Sequence, residues 1–214
     1  MQEKSLVVQK TARYYTLGQL IKSVDEVWYI FHGYGQLATE ILEQFKYFDK
    51  GNRYFIAPEG LSRFYTSGRS GKVGASWMTS EKRESEIRDY INYLNKLHHE
   101  IREQSDHRLY KTVLFGFSQG VATACRWLAG VSIPADCLIL WAGTIPREID
   151  LWRIKAHYPS LIVYMIYGTQ DRFAQPDVIK EQEERLQKAE MNYRKIRFDG
   201  KHELHPPTMV KLFE

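Results

Sequence analysis

Thr112-Val113-Leu114-Phe115-Gly116-Phe117-Ser118-Gln119-Gly120-Val121-Ala122 is the stretch on which the fold turns. Its first half is a near-continuous apolar run, too short for a helix, and reads as a strand covered on both faces, as in a parallel sheet. Its second half opens Gln119–Ala129, where Ala122, Ala124 and Leu128 suit a helix. Gly116-Phe117-Ser118-Gln119-Gly120 sits at the junction and matches G-x-S-x-G. Five loosely specified positions recur by chance. A strand leading straight in and a helix leading straight out give them meaning. Such a turn strains the backbone of its central residue, and glycines on either side let strand and helix approach closely. The serine hydroxyl is lifted to the carboxyl edge of the sheet, beside the free amides of a helix start. A structural turn with an incidental serine is the competing reading.

Outward from this junction, short apolar segments alternate with helical ones. Val24–His32, Arg53–Ala57, Cys137–Ala142, Leu161–Tyr167 and Tyr193–Phe198 end at or near Gly, Pro or Asp and read as further strands. Ser5–Leu17 is more polar and alternating, as an antiparallel edge would be. Helices are expected over Leu37–Phe48, Glu81–Glu103, Asp177–Met191 and Pro206–Phe213, from apolar residues three and four apart. The alternation predicts a mostly parallel, doubly wound α/β sheet of about seven or eight strands, with helices on both faces. Nothing resembles an interdomain linker, so residues 1–214 are expected to form one domain. Gly60–Trp77 is the longest stretch without periodicity and reads as an irregular loop.

Composition narrows the function classes. A net charge of +4 with interleaved signs lacks the concentrated basic stripe of a nucleic-acid binder. No run approaches the ~20 apolar residues of a membrane span. Met1–Lys10 lacks an apolar signal core. Cys125 and Cys137 each lie in an apolar run and form no disulfide framework, so a reducing cytoplasm is the expected location.

A serine hydroxyl is a weak nucleophile and needs a base, which needs an orienting acid. Strand–loop junctions downstream supply both. Gly168-Thr169-Gln170-Asp171 follows one strand and Asp199-Gly200-Lys201-His202 follows the next. Ser118, Asp171 and His202 therefore all project from strand carboxyl ends, where α/β sheets build their sites. His205 is a rival base, although its place before Pro206-Pro207 suits a helix cap. Asp150, Asp177 and Asp199 are rival acids. His202 and His205 are three apart, whereas the zinc motif H-E-x-x-H sets its histidines four apart, so no metal site is read there.

Acyl transfer also needs donors for the oxyanion. The Gln119 amide, next to the nucleophile, is one. The Tyr34 amide, between Gly33 and Gly35 after an early strand, is the other. His32 precedes the acid in the chain and reads as a structural histidine. Phe117, Trp77 and Phe173 adjoin strand ends and are candidates for substrate contact, and Arg63, Arg69 and Lys72 for contact with an anionic substrate.

Taken together, His32-Gly33-Tyr34-Gly35, Gly116–Gly120, Gly168–Asp171 and Gly200-Lys201-His202 resemble the phospholipase/carboxylesterase family of small α/β-hydrolases, which includes acyl-protein thioesterases. Ala57-Pro58 and Ser76-Trp77 are similar as well. The resemblance covers nearly the whole chain. It implies an α/β-hydrolase fold with no separate lid domain and no cofactor, acting on a small-molecule ester or thioester. Carried over, it makes Ser118 the nucleophile, Asp171 the orienting acid and His202 the base, with the Tyr34 and Gln119 amides as the oxyanion hole. Glu59-Gly60-Leu61-Ser62-Arg63 and the basic Gly68–Lys72 depart from the family pattern and weigh against a long-chain acyl substrate. A peptidase using the same triad, a carbon–carbon hydrolase or haloperoxidase-like enzyme, and a non-catalytic binding protein on this fold are the alternatives. A binding protein would have no need of all three triad residues.

Overall fold

The computed structural model describes residues 1–68, 70–105, 108–130 and 133–213. Its main sheet has seven strands: β1 (Tyr14–Leu17), β2 (Glu26–Phe31), β3 (Arg53–Pro58), β6 (Lys111–Phe117), β7 (Cys137–Trp141), β8 (Ile162–Gly168) and β9 (Asn192–Phe198). They lie in the order β1-β3-β2-β6-β7-β8-β9. Six run parallel, and β1 pairs antiparallel with β3 at the edge, with Tyr14 opposite Pro58 and Leu17 opposite Phe55. The chain winds outward from β2 to β3, then returns to place β6 on the other side of β2. That reversal makes β2/β6 the topological switch point, the place where open α/β sheets leave a crevice beyond the carboxyl ends of their strands.

Helices cover both faces. On one side lie α2 (Arg83–Gln104), α3 (Gln119–Ala129), α4 (Leu151–His157) and α5 (Pro176–Lys188). On the other lie α1 (Ala38–Glu43) and α6 (Pro206–Phe213). The period of two along a strand shares the core between them. Val27, Tyr29 and Phe31 of β2 join the first cluster, while Trp28 and Ile30 join the second. In β6, Leu114 faces the first and Val113, Phe115 and Phe117 face the second.

Several elements differ from expectation. The segment read as an irregular loop contains an antiparallel hairpin, β4 (Ser62–Tyr65) with β5 (Val73–Ser76). Its strands are four residues long, too short to display a period. Helix α4 was not expected either. Its start is made by Asp150, whose carboxylate accepts from the amides of Trp152 at 3.0 Å and Arg153 at 3.1 Å. The helix expected over Leu37–Phe48 stops at Glu43 and continues as a 3₁₀ turn over Lys46–Phe48. Cys125 and Cys137 are unpaired, and burial pushes each thiol up to about 12.

Candidate active site

Ser118 stands between β6 and α3 with φ 53° and ψ −116°, a conformation a side-chain-bearing residue adopts only under constraint. The constraint is visible on every side. The Ser118 amide donates to the Trp141 carbonyl at 2.9 Å, and the Ser118 carbonyl accepts from the Val121 amide at 3.0 Å. A Cβ on Gly116 would lie 2.5 Å from the Val121 Cα, and one on Gly120 only 2.1 Å from the Phe31 carbonyl oxygen. The two glycines of the motif are thus where strand, helix and the end of β2 touch backbone to backbone.

Asp171 follows β8 and His202 follows β9. The two loops are clipped together: the Thr169 amide donates to the Phe198 carbonyl and the Gln170 amide to the Gly200 carbonyl, each at 2.9 Å. The Gln170 side chain also donates to Asp199 at 2.9 Å. His202 Nδ1 lies 2.7 Å from Asp171 Oδ2, and its Nε2 lies 2.8 Å from Ser118 Oγ. The Asp171 side chain is fully buried, and its other oxygen accepts from the Phe173 amide at 2.9 Å. With the imidazole neutral and its proton on Nδ1, the Ser118 hydroxyl donates to Nε2. Phe117 and Phe173 flank the imidazole at ring distances of 5.2 and 4.9 Å. Behind it, the Trp141 indole donates to the Glu203 carbonyl at 2.8 Å and holds the loop in place.

The second loop of the site follows β2. Gly35 has φ 75°, and residues 35 and 36 pair with the hairpin: the Gly35 amide donates to the Ala75 carbonyl at 2.9 Å, and the Ala75 amide to the Gln36 carbonyl at 3.1 Å. The amides of Tyr34 and Gln119 donate to no other described residue. His32 is buried, donates from Nδ1 to the Gly33 carbonyl at 2.7 Å and accepts at Nε2 from the Gly60 amide at 2.9 Å. Burial lowers its pKa from 6.5 to about 4, so it stays neutral at neutral pH.

The rival residues have other partners. His205 Nδ1 meets the Thr208 hydroxyl at 2.8 Å, and its ring stacks on Phe198 at 4.8 Å. Asp199 accepts from Gln170, Asp177 lies in the first turn of α5, and Asp150 caps α4. Of the residues expected to touch substrate, Phe173 is 55% exposed beside His202, while Phe117 is buried beneath it. Trp77 differs most from expectation. It is 1% exposed, stacked on His32, with its polar atoms bonded inside the protein. Arg63 pairs with Glu59 at 3.5 Å and Lys72 with Glu40 at 2.5 Å, so both cations are engaged, and Arg69 lies outside the described residues.

Two features were not read from the sequence. Glu59 is buried, accepts from Arg13 at 2.5 Å and takes the Ala38 amide at the start of α1. The Gln119 side chain reaches across to Ser76–Met78. Neither shows in a pattern of periods, because both depend on which segments meet in space. Among the described residues, no three His, Cys, Asp or Glu side chains form a metal-binding group, and no helix is long and apolar enough to cross a membrane.

The profile of the phospholipase/carboxylesterase family matches residues 21–214. The chain belongs to this family. It is accordingly a carboxylic ester hydrolase. Solved structures share the fold of this esterase over nearly their whole length. A carboxylesterase from Mesorhizobium loti superposes with a TM-score of 0.73 at 14% identity, covering 98% of this chain and 96% of that one. Esterase PE8 gives 0.70 at 16% identity, covering 95% and 97%. Acyl-protein thioesterase 2 from Zea mays gives 0.66 at 14% identity, covering 95% and 96%. A search of curated proteins returns no match.

Proposed function

We propose that the esterase works through an acyl-enzyme formed on Ser118, with His202 as general base, Asp171 as its orienting acid and the Tyr34 and Gln119 amides as oxyanion hole. The observation that carries this reading is the unbroken relay from Ser118 Oγ through both nitrogens of His202 to a buried Asp171, at 2.8 and 2.7 Å. His202 Nε2 takes the hydroxyl proton as Ser118 Oγ attacks the ester carbonyl. Negative charge gathers on the carbonyl oxygen, and two amides with no partner among the described residues are available to it. His202 then gives its proton to the leaving alcohol or thiol. In the second half, water loses a proton to the same nitrogen, attacks the acyl carbon, and the acid departs as Ser118 recovers its hydrogen.

The substrate is a small-molecule carboxylic ester or thioester, bound against the open rim of Tyr34, Phe64 and Phe173. Because Arg63 and Lys72 are held in ion pairs, they are no objection to an apolar acyl group. We further propose that residues 1–214 act as a single catalytic unit, in a reducing cytoplasm where its two unpaired thiols persist. The test is hydrolysis of p-nitrophenyl esters and acyl-thioesters of graded chain length by the protein and by Ser118→Ala. Replacement is expected to lower kcat on the order of 10⁴-fold or more. Retention of most activity by Ser118→Ala would overturn the assignment, and failure of the intact protein to react with a fluorophosphonate would favour a binding protein.

A further inference from the structure

We propose that the side chains of Gln119, Trp77 and His32 form one positioning unit that aims the Tyr34 amide at the oxyanion and sets its spacing from the Gln119 amide. The proposal rests on the oxyanion hole described under the proposed function.

A peptide unit is planar and trans, so its N–H points opposite to its own carbonyl. The Tyr34 N–H shares its plane with the Gly33 carbonyl. His32 Nδ1 donates to that carbonyl at 2.7 Å, so the imidazole fixes the far end of the very plane whose near end faces the site. The ring is itself held at Nε2 by the Gly60 amide at 2.9 Å, and its face stacks on Trp77 at 5.0 Å with the planes 28° apart. The Trp77 indole N–H donates at 3.0 Å to the His32 carbonyl, the next carbonyl upstream. Successive peptide planes leading to Tyr34 are therefore each held by one ring.

The other end of the unit is Gln119. Its backbone amide is the second oxyanion donor, and its side chain grips the segment that carries Trp77. Oε1 accepts from the Trp77 amide at 3.1 Å, while Nε2 donates to the Met78 carbonyl at 2.8 Å and reaches the Ser76 hydroxyl at 3.2 Å. One residue thus supplies one donor through its backbone and tethers the other through its side chain. Packing alone would need only an apolar side chain at this helix start. What the amide adds is directional attachment between segments 41 to 43 residues apart in sequence, with the precision that oxyanion stabilisation demands.

Gln119→Met keeps the backbone amide and the side-chain length but removes every tether. Trp77→Phe keeps a ring against His32 but removes the bond to its carbonyl. With kcat expressed per titrated active site, each is expected to fall roughly 10- to 100-fold, with KM moving less than about threefold. Affinity for a trifluoromethyl ketone, whose adduct carries the oxyanion, should fall in step with kcat. The double variant should be no worse than about the poorer single one, because a broken unit cannot be broken twice. Unchanged kcat per site with a lowered Tm would overturn the proposal and leave a purely structural contact. Losses that multiply in the double variant would also overturn it. Should Trp77→Phe fail to fold, Gln119→Met at the half-buried end of the unit decides the question through kcat and the ketone. Ser118→Ala separates the levels: if it is inactive while the other variants keep full kcat, only the positioning unit falls. An active Ser118→Ala would remove the site beneath it.

Discussion

The carboxylate of Asp171 and the imidazole of His202 meet at 2.7 Å across two loops from neighbouring strands, and the carboxylate side chain has no exposed surface. A fully buried acceptor aimed at Nδ1 fixes both the tautomer and the ring orientation. Asp171→Asn preserves the volume but removes the charge that would stabilise the imidazolium. We expect kcat on p-nitrophenyl acetate to drop by about 10³- to 10⁴-fold, with circular dichroism unchanged. Retained activity would pass the acid's part to another carboxylate.

Acid should weaken the fold through its buried histidines. His32 is brought down from 6.5 to about 4 chiefly by burial, although the Gly33 carbonyl and the carboxylates of Glu59 and Glu40 pull the other way. His98 is also lowered to about 4, by burial first and then by Arg102 and His99. Within this window the unfolded chain binds protons that the folded chain refuses, so unfolding free energy falls as pH drops and is regained toward neutrality. For His32 alone the full loss is about 3 kcal/mol, reached once the pH is below both values. Urea titrations across this window should show the slope, and His32→Asn should flatten it. Equal slopes in the two proteins would refute the attribution.

Two glycine replacements should differ in cost. A Cβ on Gly120 would sit 2.1 Å from the Phe31 carbonyl oxygen and 2.8 Å from that of His32, neither of which can move without shifting the end of β2. Gly120→Ala should cost about 3 kcal/mol or more, or prevent folding. Gly51 has φ 82° but nothing within 4 Å of an added Cβ, so Gly51→Ala should cost only about 1 kcal/mol. Thermal unfolding of both variants would check the contrast.

Phe173 presents its ring half-exposed at the rim, edge-on to His202 at 4.9 Å, with the Arg172 guanidinium stacked over it at 4.7 Å. Phe173→Ala removes apolar surface that substrate can reach while leaving the relay in place. KM for esters of longer acids should rise roughly tenfold, and that for acetate esters much less. A uniform rise across the series would place the acyl group elsewhere.

What could be read from the sequence depended on how local its cause was. Gln119–Ala129 and Pro206–Phe213 match their helices at both ends, because a strand break before one and a proline pair opening the other mark where each begins. Ser118, Asp171 and His202 could be singled out because each follows a strand in the order used by α/β-hydrolases, and the fold does bring them into one hydrogen-bonded chain. The β4–β5 hairpin is not legible because its strands are four residues long, too short to display a period. Trp77 adjoins a strand end and so reads as near the substrate, yet its indole N–H donates to the His32 carbonyl inside the protein instead. Side chains acting between distant segments, such as Gln119 and Glu59, leave no period to read.

The order of the sheet has a consequence for how the enzyme comes into being. A chain is made from its amino end, so Ser118 is laid down 84 residues before His202. The strand that delivers His202, β9, is the sheet's last and joins at its margin, where Arg194, Lys195 and Arg197 discourage stray pairing. Under the proposed mechanism, Ser118 would lack the imidazole that takes its proton until β9 docks on β8, so reactivity would arrive with the final strand.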